Sequence, residues 1–333
     1  MGQTGPVLPP RSRAAVPLAL AALVLGAVTG CGDDADADTD GNLLRERPQT
    51  AVANPRLEAA AKQATSDGDT ERAAVLQRLS DVPTGIWLTP ERYPLGSVGG
   101  YVSSVLAAGT DTVPVFVLYG IPDRDCTGQL SAGGLPVEEY LPWVDEIATA
   151  AGPGTVAVLE PDALAGSVSC EGVESRVGLL RDAVRALDDA GVATYVDAGH
   201  SDWVPAEEMA SLLEEVDVAR ARGFATNVAN YQPLQSERRY AEQVSELLGG
   251  AHYVVDTGRS GAASATGRAV EDWCNPPNQA LGDEPGYVDD DTALDALLWV
   301  KPPAESDGTC HGGPPAGEVW IDRAVALAEA AGW

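Results

Sequence analysis

Several apolar runs in this sequence are each followed by a polar or ionisable residue. Asp125 comes after VPVFVLY, Asp162 after VAVLEP, Asp197 after ATYV and Asp256 after HYVV, while Asn227 lies in FATNV and Lys301 follows ALLWV. A carboxyl group that hands a proton to a leaving oxygen must stay protonated near neutral pH, which calls for poor solvation and for like charge nearby. Acids converging from several strand ends supply both conditions. Taken singly, each has a plain structural account: an aspartate after a strand is a frequent helix N-cap, and Asp162, followed by ALAG, is well placed for that role. Asp256 is equally suited to a structural role. Capping does not explain why the pattern repeats. Lys301 adds to it, because Lys62 is the sole other lysine in the chain and a lysine closing an apolar strand is poorly explained as solvated surface. Trp87, Trp203, Trp273 and Trp299 lie near the same ends. Tryptophan faces stack on the apolar faces of pyranose rings. Trp203 and Trp273, in polar loops, are the better platforms, and Trp299, inside an apolar run, reads as core.

The elements that must position these groups follow from periodicity. Strands are expected at Ile86–Leu88, Val113–Tyr119, Val156–Leu159, Thr194–Val196, Phe224–Val228, Tyr253–Val255 and Leu297–Val300, alternating with amphipathic helical segments such as Ser175–Ala190, Ala206–Val216 and Ser236–Leu248. Near-continuous apolar strands between helices imply a parallel sheet buried on both faces. Seven of them in one domain predict an α/β fold, a closed or nearly closed seven-stranded parallel β/α barrel, with an open doubly wound sheet as the alternative. In a parallel barrel all the polar strand ends share one rim, where active sites are built.

The formal net charge of −29 argues against nucleic-acid binding, since a polyanion would be repelled. Residues 1–30 read as an export leader, with Arg11 and Arg13 before an apolar stretch too short to span a membrane. The leader ends in VTGC, which resembles a bacterial lipobox with Cys31 as the lipidated residue; an ordinary signal peptide cleaved nearby is the alternative. Residues 31–54, opening with GDDADADTDG after Cys31, read as an acidic disordered tether. A single amphipathic helix is expected over roughly Pro55–Ser80, and residues 55–333 form the catalytic domain. In an exported chain the remaining Cys126, Cys170, Cys274 and Cys310 read as disulfides in one of three connectivities. Their spacing fits no zinc site, so no metal is expected.

The motifs VLYGIPDRDC, LEPDALA, YVDAGHSDW, GFATNVANY, VVDTGRSG, DWCNPP and LLWVKPPAESDG occur in that order from Val117 onward, within a stretch of likeness that runs from about Trp87 to the C-terminus. Together they resemble the family 6 glycoside hydrolases, which are cellulases. The resemblance implies a distorted barrel of seven parallel strands and inverting hydrolysis of β-1,4-glucan without a cofactor. It makes Asp162 the general acid, Asp125 the carboxylate that keeps the acid's pKa raised, and Asp307 the candidate base. Tyr119 would help distort the sugar ring and Ser131 would position water. Trp87, Asp197, His200, Trp203, Asn227, Arg259, Trp273, Lys301 and Glu305 would line or order the cleft. The resemblance also pairs Cys126 with Cys170 and Cys274 with Cys310.

Two departures from the family pattern matter. The loop SAGGLP lacks a glutamate that many members carry, and the segment from Lys301 to Gly317 lacks the long insertion that roofs a tunnel in chain-end-cleaving members. The shorter segment favours an open cleft and an endo-acting enzyme over an exo-acting cellobiohydrolase. A non-catalytic glucan-binding lipoprotein is the alternative from another class, although it would not need Asp125, Asp162 and Asp307 together. The expected partner is a soluble or amorphous β-1,4-glucan, acted on by a monomer outside the cell that meets the membrane only through Cys31.

Overall fold

The computed structural model describes residues 41–125, 132–170 and 173–333. Its centre is an eight-stranded sheet: β1 Ile86–Leu88, β2 Val115–Leu118, β3 Val156–Leu159, β4 Ala193–Asp197, β5 Gly223–Thr226, β6 His252–Asp256, β7 Gly286–Tyr287 and β8 Leu294–Leu298. The order is β1-β2-β3-β4-β5-β6-β8-β7, every pairing being parallel except the two-residue β7 against β8. Alternation along the strands gives the sheet two buried faces. Val115, Val117, Val156, Val158, Tyr195, Ala225, Val254, Ala296 and Leu298 fill the inside of the curl. Phe116, Leu118, Ala157, Leu159, Val196, Phe224 and Val255 point the other way, into the layer of helices.

The expectation of a closed seven-stranded barrel is met in part. The parallel strands curl until β1 and β8 approach, but the gap is crossed by a backbone hydrogen bond from Gly85 N–H to the Trp299 carbonyl (2.8 Å) rather than by a ladder. Gly85 allows this approach, since a Cβ there would sit 2.3 Å from the Val300 carbonyl oxygen. The fold is an open, curled sheet.

Three expectations need correction. The helix over residues 55–80 is two helices, Pro55–Ser66 and Thr70–Asp81, broken at Gly68, where φ is +81°. Asn54 and Asp69 cap them through their side chains. From residue 41 onward the chain is not a structureless tether. Asn42 caps a short helix, Leu43–Glu46, and donates to the Asp295 carbonyl at 3.1 Å, while Leu44 is buried in the inner cluster. Gln49 then forms a parallel bridge with Val113. Residues 41–50 thus stopper the N-terminal end of the curl. Finally, the last parallel strand is Leu294–Leu298, three residues earlier than its apolar run suggests. Trp299 and Val300 lie beyond it and are fully buried, Trp299 among the helices 55–66, 70–81 and 321–330. Lys301 is accordingly a loop residue. Cys31, Cys126 and Ser131 lie outside the described residues, as does the proposed leader.

Candidate active site

The C-terminal ends of the parallel strands open into a cavity of about 860 Å³. Trp87, Tyr119, Asp125, Asp162, His200, Trp203, Trp273, Lys301, Glu305 and Asp307 all line it. Asp197, Asn227 and Arg259 do not, and each lies beneath the cleft as a support. Backbone strain marks the same rim. Asp123 and Asp125 after β2, Glu160 and Asp162 after β3, and Asn227 and Ala229 after β5 all have φ between +50° and +66°. Side-chain-bearing residues adopt that region only when the surroundings impose it, and such residues cluster where function needs a fixed geometry.

Asp162 occupies the residue before the helix Ala163–Ser167, the position of an N-cap, yet its side chain makes no capping bond. Its left-handed backbone (φ +66°, ψ −10°) instead leaves the carboxyl in the cleft wall. Burial, first of all, raises its pKa to about 6; Lys301 pulls it down, and the charges of Asp125 and Asp307 push it up. Its backbone N–H donates to Asp197 Oδ1 at 2.9 Å, and Gly199 N–H reaches the same oxygen at 3.0 Å. Asp197 Oδ2 is buried with no protein partner. Burial and the charge of Asp162 raise the Asp197 pKa well above the carboxylate range.

Asp307 is the same residue type in the opposite electrostatic setting. Oδ1 accepts from Arg259 Nη1 at 2.8 Å and from Lys301 Nζ; Oδ2 accepts from Tyr231 Oη at 2.7 Å and from the Asn275 backbone N–H at 3.0 Å. Burial would raise its pKa, but the two cations and the donated hydrogen bonds outweigh that and hold it well below the usual carboxylate range. Arg259 is itself 3% exposed, lies over the Tyr231 ring and donates to the Ala229 carbonyl. The Cys274–Cys310 disulfide ties the Asn275 loop to the loop just past Asp307. Cys170 is also disulfide-bonded, and its expected partner Cys126 lies outside the described residues.

The supports divide by the loops they join. Asp256 accepts from the backbone N–H groups of Gly258, Ala229 and Lys301, locking together the loops after β5, β6 and β8. Its role is structural. Asn227 donates to the Asp256 carbonyl and accepts from Gln232 N–H. Two acids that sequence reasoning passed over do similar work. Glu160, 1% exposed, accepts from Gly120 and Ile121 N–H, joining the loops that carry Asp125 and Asp162. Glu237 reaches up from the helix Leu234–Leu247 to accept from Ser201 N–H at 2.9 Å. Burial raises both pKa values to about 7. Glu160 stands in LEPD and Tyr231 in ANY, so their motifs carried a signal; Glu237, within a helical pattern, offered none.

The two tryptophans expected to be platforms from their polar loops both lie in the cleft wall. Trp203 and Trp273 are 38% and 43% exposed while lining the cleft. His200 is held neutral, since burial lowers its pKa to about 4; its Nδ1 faces Asp202 N–H at 3.3 Å, which leaves Nε2–H as a donor. Tyr119 packs edge-on to Trp87 at 5.2 Å, with the Arg124 guanidinium 4.3 Å from its ring centre.

A buried, protonatable acid facing a fixed carboxylate in a tryptophan-lined trough is the apparatus of glycoside cleavage. Residues 47–331 match the family described as glycosyl hydrolases family 6. The chain belongs to this family. It is 40% identical to endoglucanase A of Cellulomonas fimi over 263 residues, 78% of this chain and 57% of that protein. To endoglucanase A of Thermobispora bispora it is 36% identical over 321 residues, 93% of this chain and 68% of that one. The chain thus spans little more than half of the first relative's length. Among solved structures, the endoglucanase Cel6 of Mycobacterium tuberculosis, in complex with a thio-linked cellobioside, superposes with a TM-score of 0.80. The two are 38% identical, and the match covers 88% of this chain and all of that one.

Proposed function

We propose that the protein hydrolyses internal β-1,4-glucosidic bonds of soluble or amorphous β-glucan with inversion at the anomeric carbon. The observation that carries this reading is the opposed setting of Asp162 and Asp307: burial keeps one able to hold a proton near pH 6, and two cations keep the other charged. Asp162 gives its proton to the glycosidic oxygen as the C1–O bond breaks, and the bonding electrons leave with that oxygen. Asp125 raises the proton affinity of Asp162 and offsets positive charge on the sugar ring, which Tyr119 helps to distort. A water attacks C1 from the opposite face, where the inverting geometry leaves room for it. Asp307 accepts poorly, because Arg259 and Lys301 stabilise its charged form, so it serves to orient and polarise the water. The water's proton passes on through a solvent chain in which Ser131 would take part. Trp87, Trp203, Trp273, His200 and Glu305 bind the glucan; Asp197, Asn227 and Arg259 order the groups above them.

Internal cleavage is favoured by the compact segment from Lys301 to Gly317. It folds on itself through bonds from Ser306 N to the Glu318 carbonyl, Gly317 N to the Ser306 carbonyl, and Ser306 Oγ to the Pro314 carbonyl. So compact a segment favours an open trough. The leader and VTGC motif support a location outside the cell with a lipid anchor at Cys31, where the enzyme would act as a monomer; the mass of the mature N-terminus tests the anchor. The activity is tested on carboxymethyl cellulose by viscosity and reducing ends together. A steep viscosity drop at few new ends is expected. A slow drop at many ends would assign chain-end cleavage, and binding without any new ends would leave a glucan-binding lipoprotein. Proton NMR of freshly released products reads the anomer, and retention would reject the mechanism.

A further inference from the structure

A second cavity of about 350 Å³ opens beside the catalytic cleft. Trp87, Arg92, Glu305, Gly317 and Glu318 stand in the walls of both, so the two cavities adjoin at the Trp87 side chain. Its volume falls within the roughly 300–1,000 Å³ of small-molecule sites. Beyond Trp87 lie Tyr93 and Tyr101, both half-buried, with rings stacked 4.1 Å apart at 18°. The Arg92 guanidinium lies 5.3 Å from the Tyr93 ring centre. On the far side Arg56, at the start of the helix Pro55–Ser66, pairs with Glu318 at 3.5 Å. None of Tyr93, Tyr101 or Arg56 has work in the bond cleavage described above.

This lining suits one chemistry. Paired aromatic rings offer a flat apolar surface, and arginine with glutamate beside them offers donors and acceptors in equal measure. The opposite charges of Arg56 and Arg92 against Glu305 and Glu318 disfavour a charged ligand of either sign. A neutral ring with apolar faces and a belt of hydroxyls satisfies both parts. Adjacency to the cleft names the occupant. A polymer bound across Trp87 has its next units delivered into this trough.

We propose that the trough beyond Trp87 is an additional glucan subsite, which holds the length of the same chain that extends past the catalytic cleft, with Tyr101 as its stacking surface. The proposal rests on the β-glucan reading of the cleft and adds a chain-length preference to it. Tyr101 lines the second cavity and not the first, so its loss is separable from the chemistry. The experiment compares wild type, Tyr101→Ala and Tyr101→Leu on cellotetraose, cellopentaose and cellohexaose, with kcat and KM resolved for each. Leucine keeps the packing against the helix layer and removes the flat ring. The expected result is a KM raised roughly 3- to 10-fold for cellohexaose in both variants, with kcat held and cellotetraose unchanged. A KM ratio between hexaose and tetraose equal to that of wild type overturns the subsite. So does a loss in Tyr101→Ala alone that falls on all lengths alike, which marks a packing defect. Failure of wild type to cleave any of the three would strike the β-glucan reading itself, an outcome distinct from both.

Discussion

At the N-terminal end of the strands Asp295, 2% exposed, has a charged or hydroxyl partner on every side. Arg222 donates to both oxygens at 2.8 Å, Tyr195 Oη to one at 2.5 Å, and His252 Nδ1 lies 3.1 Å from the other. Burial would raise its pKa, but those partners keep it lowered. At the C-terminal end of the same strands Asp197, Glu160 and Glu237 are also buried and Asp162 is half-buried, and there desolvation wins, so their pKa values rise. The difference is one of partners. The lower acid answers to a guanidinium; the upper ones answer mainly to backbone N–H groups and to one another. Asp307 is the exception on the upper rim, because Arg259 and Lys301 both bond to it. One end of the sheet is therefore built for cohesion and the other keeps its acids protonatable.

The largest expected effect is on the upper rim. Asp162→Ala should lower kcat on carboxymethyl cellulose by about 10²- to 10⁴-fold, the worth of a general acid, while the melting temperature stays near that of wild type. Undiminished turnover would remove Asp162 from the chemistry. The matched change on the lower rim should do the reverse. Asp295→Ala strands Arg222 in a buried site and should cost about 3–5 kcal/mol of stability, read by urea unfolding. Activity per folded molecule, measured well below the transition, should stay within about twofold. A large kcat loss in fully folded Asp295→Ala would collapse the distinction between the two ends.

Charge sharpens the comparison further. As the proposed acid, Asp162 acts only while protonated, so kcat/KM should fall as pH rises through about 6. On the acid side Asp307 stays ionised to well below the usual carboxylate range, so its own titration should not limit activity in mildly acidic buffer. The negative charge of Asp125 raises the Asp162 pKa. Asp125→Asn should therefore move the alkaline limb to lower pH, besides lowering the rate. A limb that stays in place would mean that Asp125 acts otherwise. The same signs govern stability. Glu160 and Glu237 have folded pKa values near 7, above the ordinary 4.5. Their contribution is full below about pH 4.5 and is lost as pH rises through 7.

What was legible in the sequence follows the same division. The upper rim announced itself because polar residues there interrupt the ends of apolar runs, and Asp125, Asp162, Lys301 and Asp307 do meet in one cleft. The lower rim stayed hidden for the complementary reason. Asp295 sits inside β8, and its charge interrupts the apolar pattern, so the pattern places the strand at Leu297–Val300; the partner that permits its burial, Arg222, lies 73 residues away. Residues 42–50 were misread in the same way: an acidic preceding stretch masked Leu44 and Asn42, whose contacts are with β8 and the inner cluster. Two-residue β7 is too short to leave a periodic trace. The supports Asp197, Asn227 and Arg259 were legible as polar residues near strand ends or in the motifs, but not as lying beneath the cleft, because sequence gives the end of a strand and not the depth of a side chain.

The smallest effect expected lies where an upper-rim acid does purely structural work. Glu237 sits outside the cleft lining and touches the site through the Ser201 N–H. That hydrogen bond fixes the loop carrying His200 and Trp203, whose rings lie 5.5 Å apart on the cleft wall. Loosening the loop should cost binding surface and leave the acid untouched, since Asp162 is held by Asp197 instead. Glu237→Ala should therefore raise KM for soluble glucan about 2- to 10-fold, the range of one hydrogen bond, with kcat and its pH limb unchanged. Glu237→Gln keeps an acceptor oxygen for Ser201 and should recover most of the KM. If both variants instead lowered kcat together and shifted the limb near pH 6, Glu237 would belong to the proton-holding network around Asp162, and the separation of platform from acid on this rim would fail.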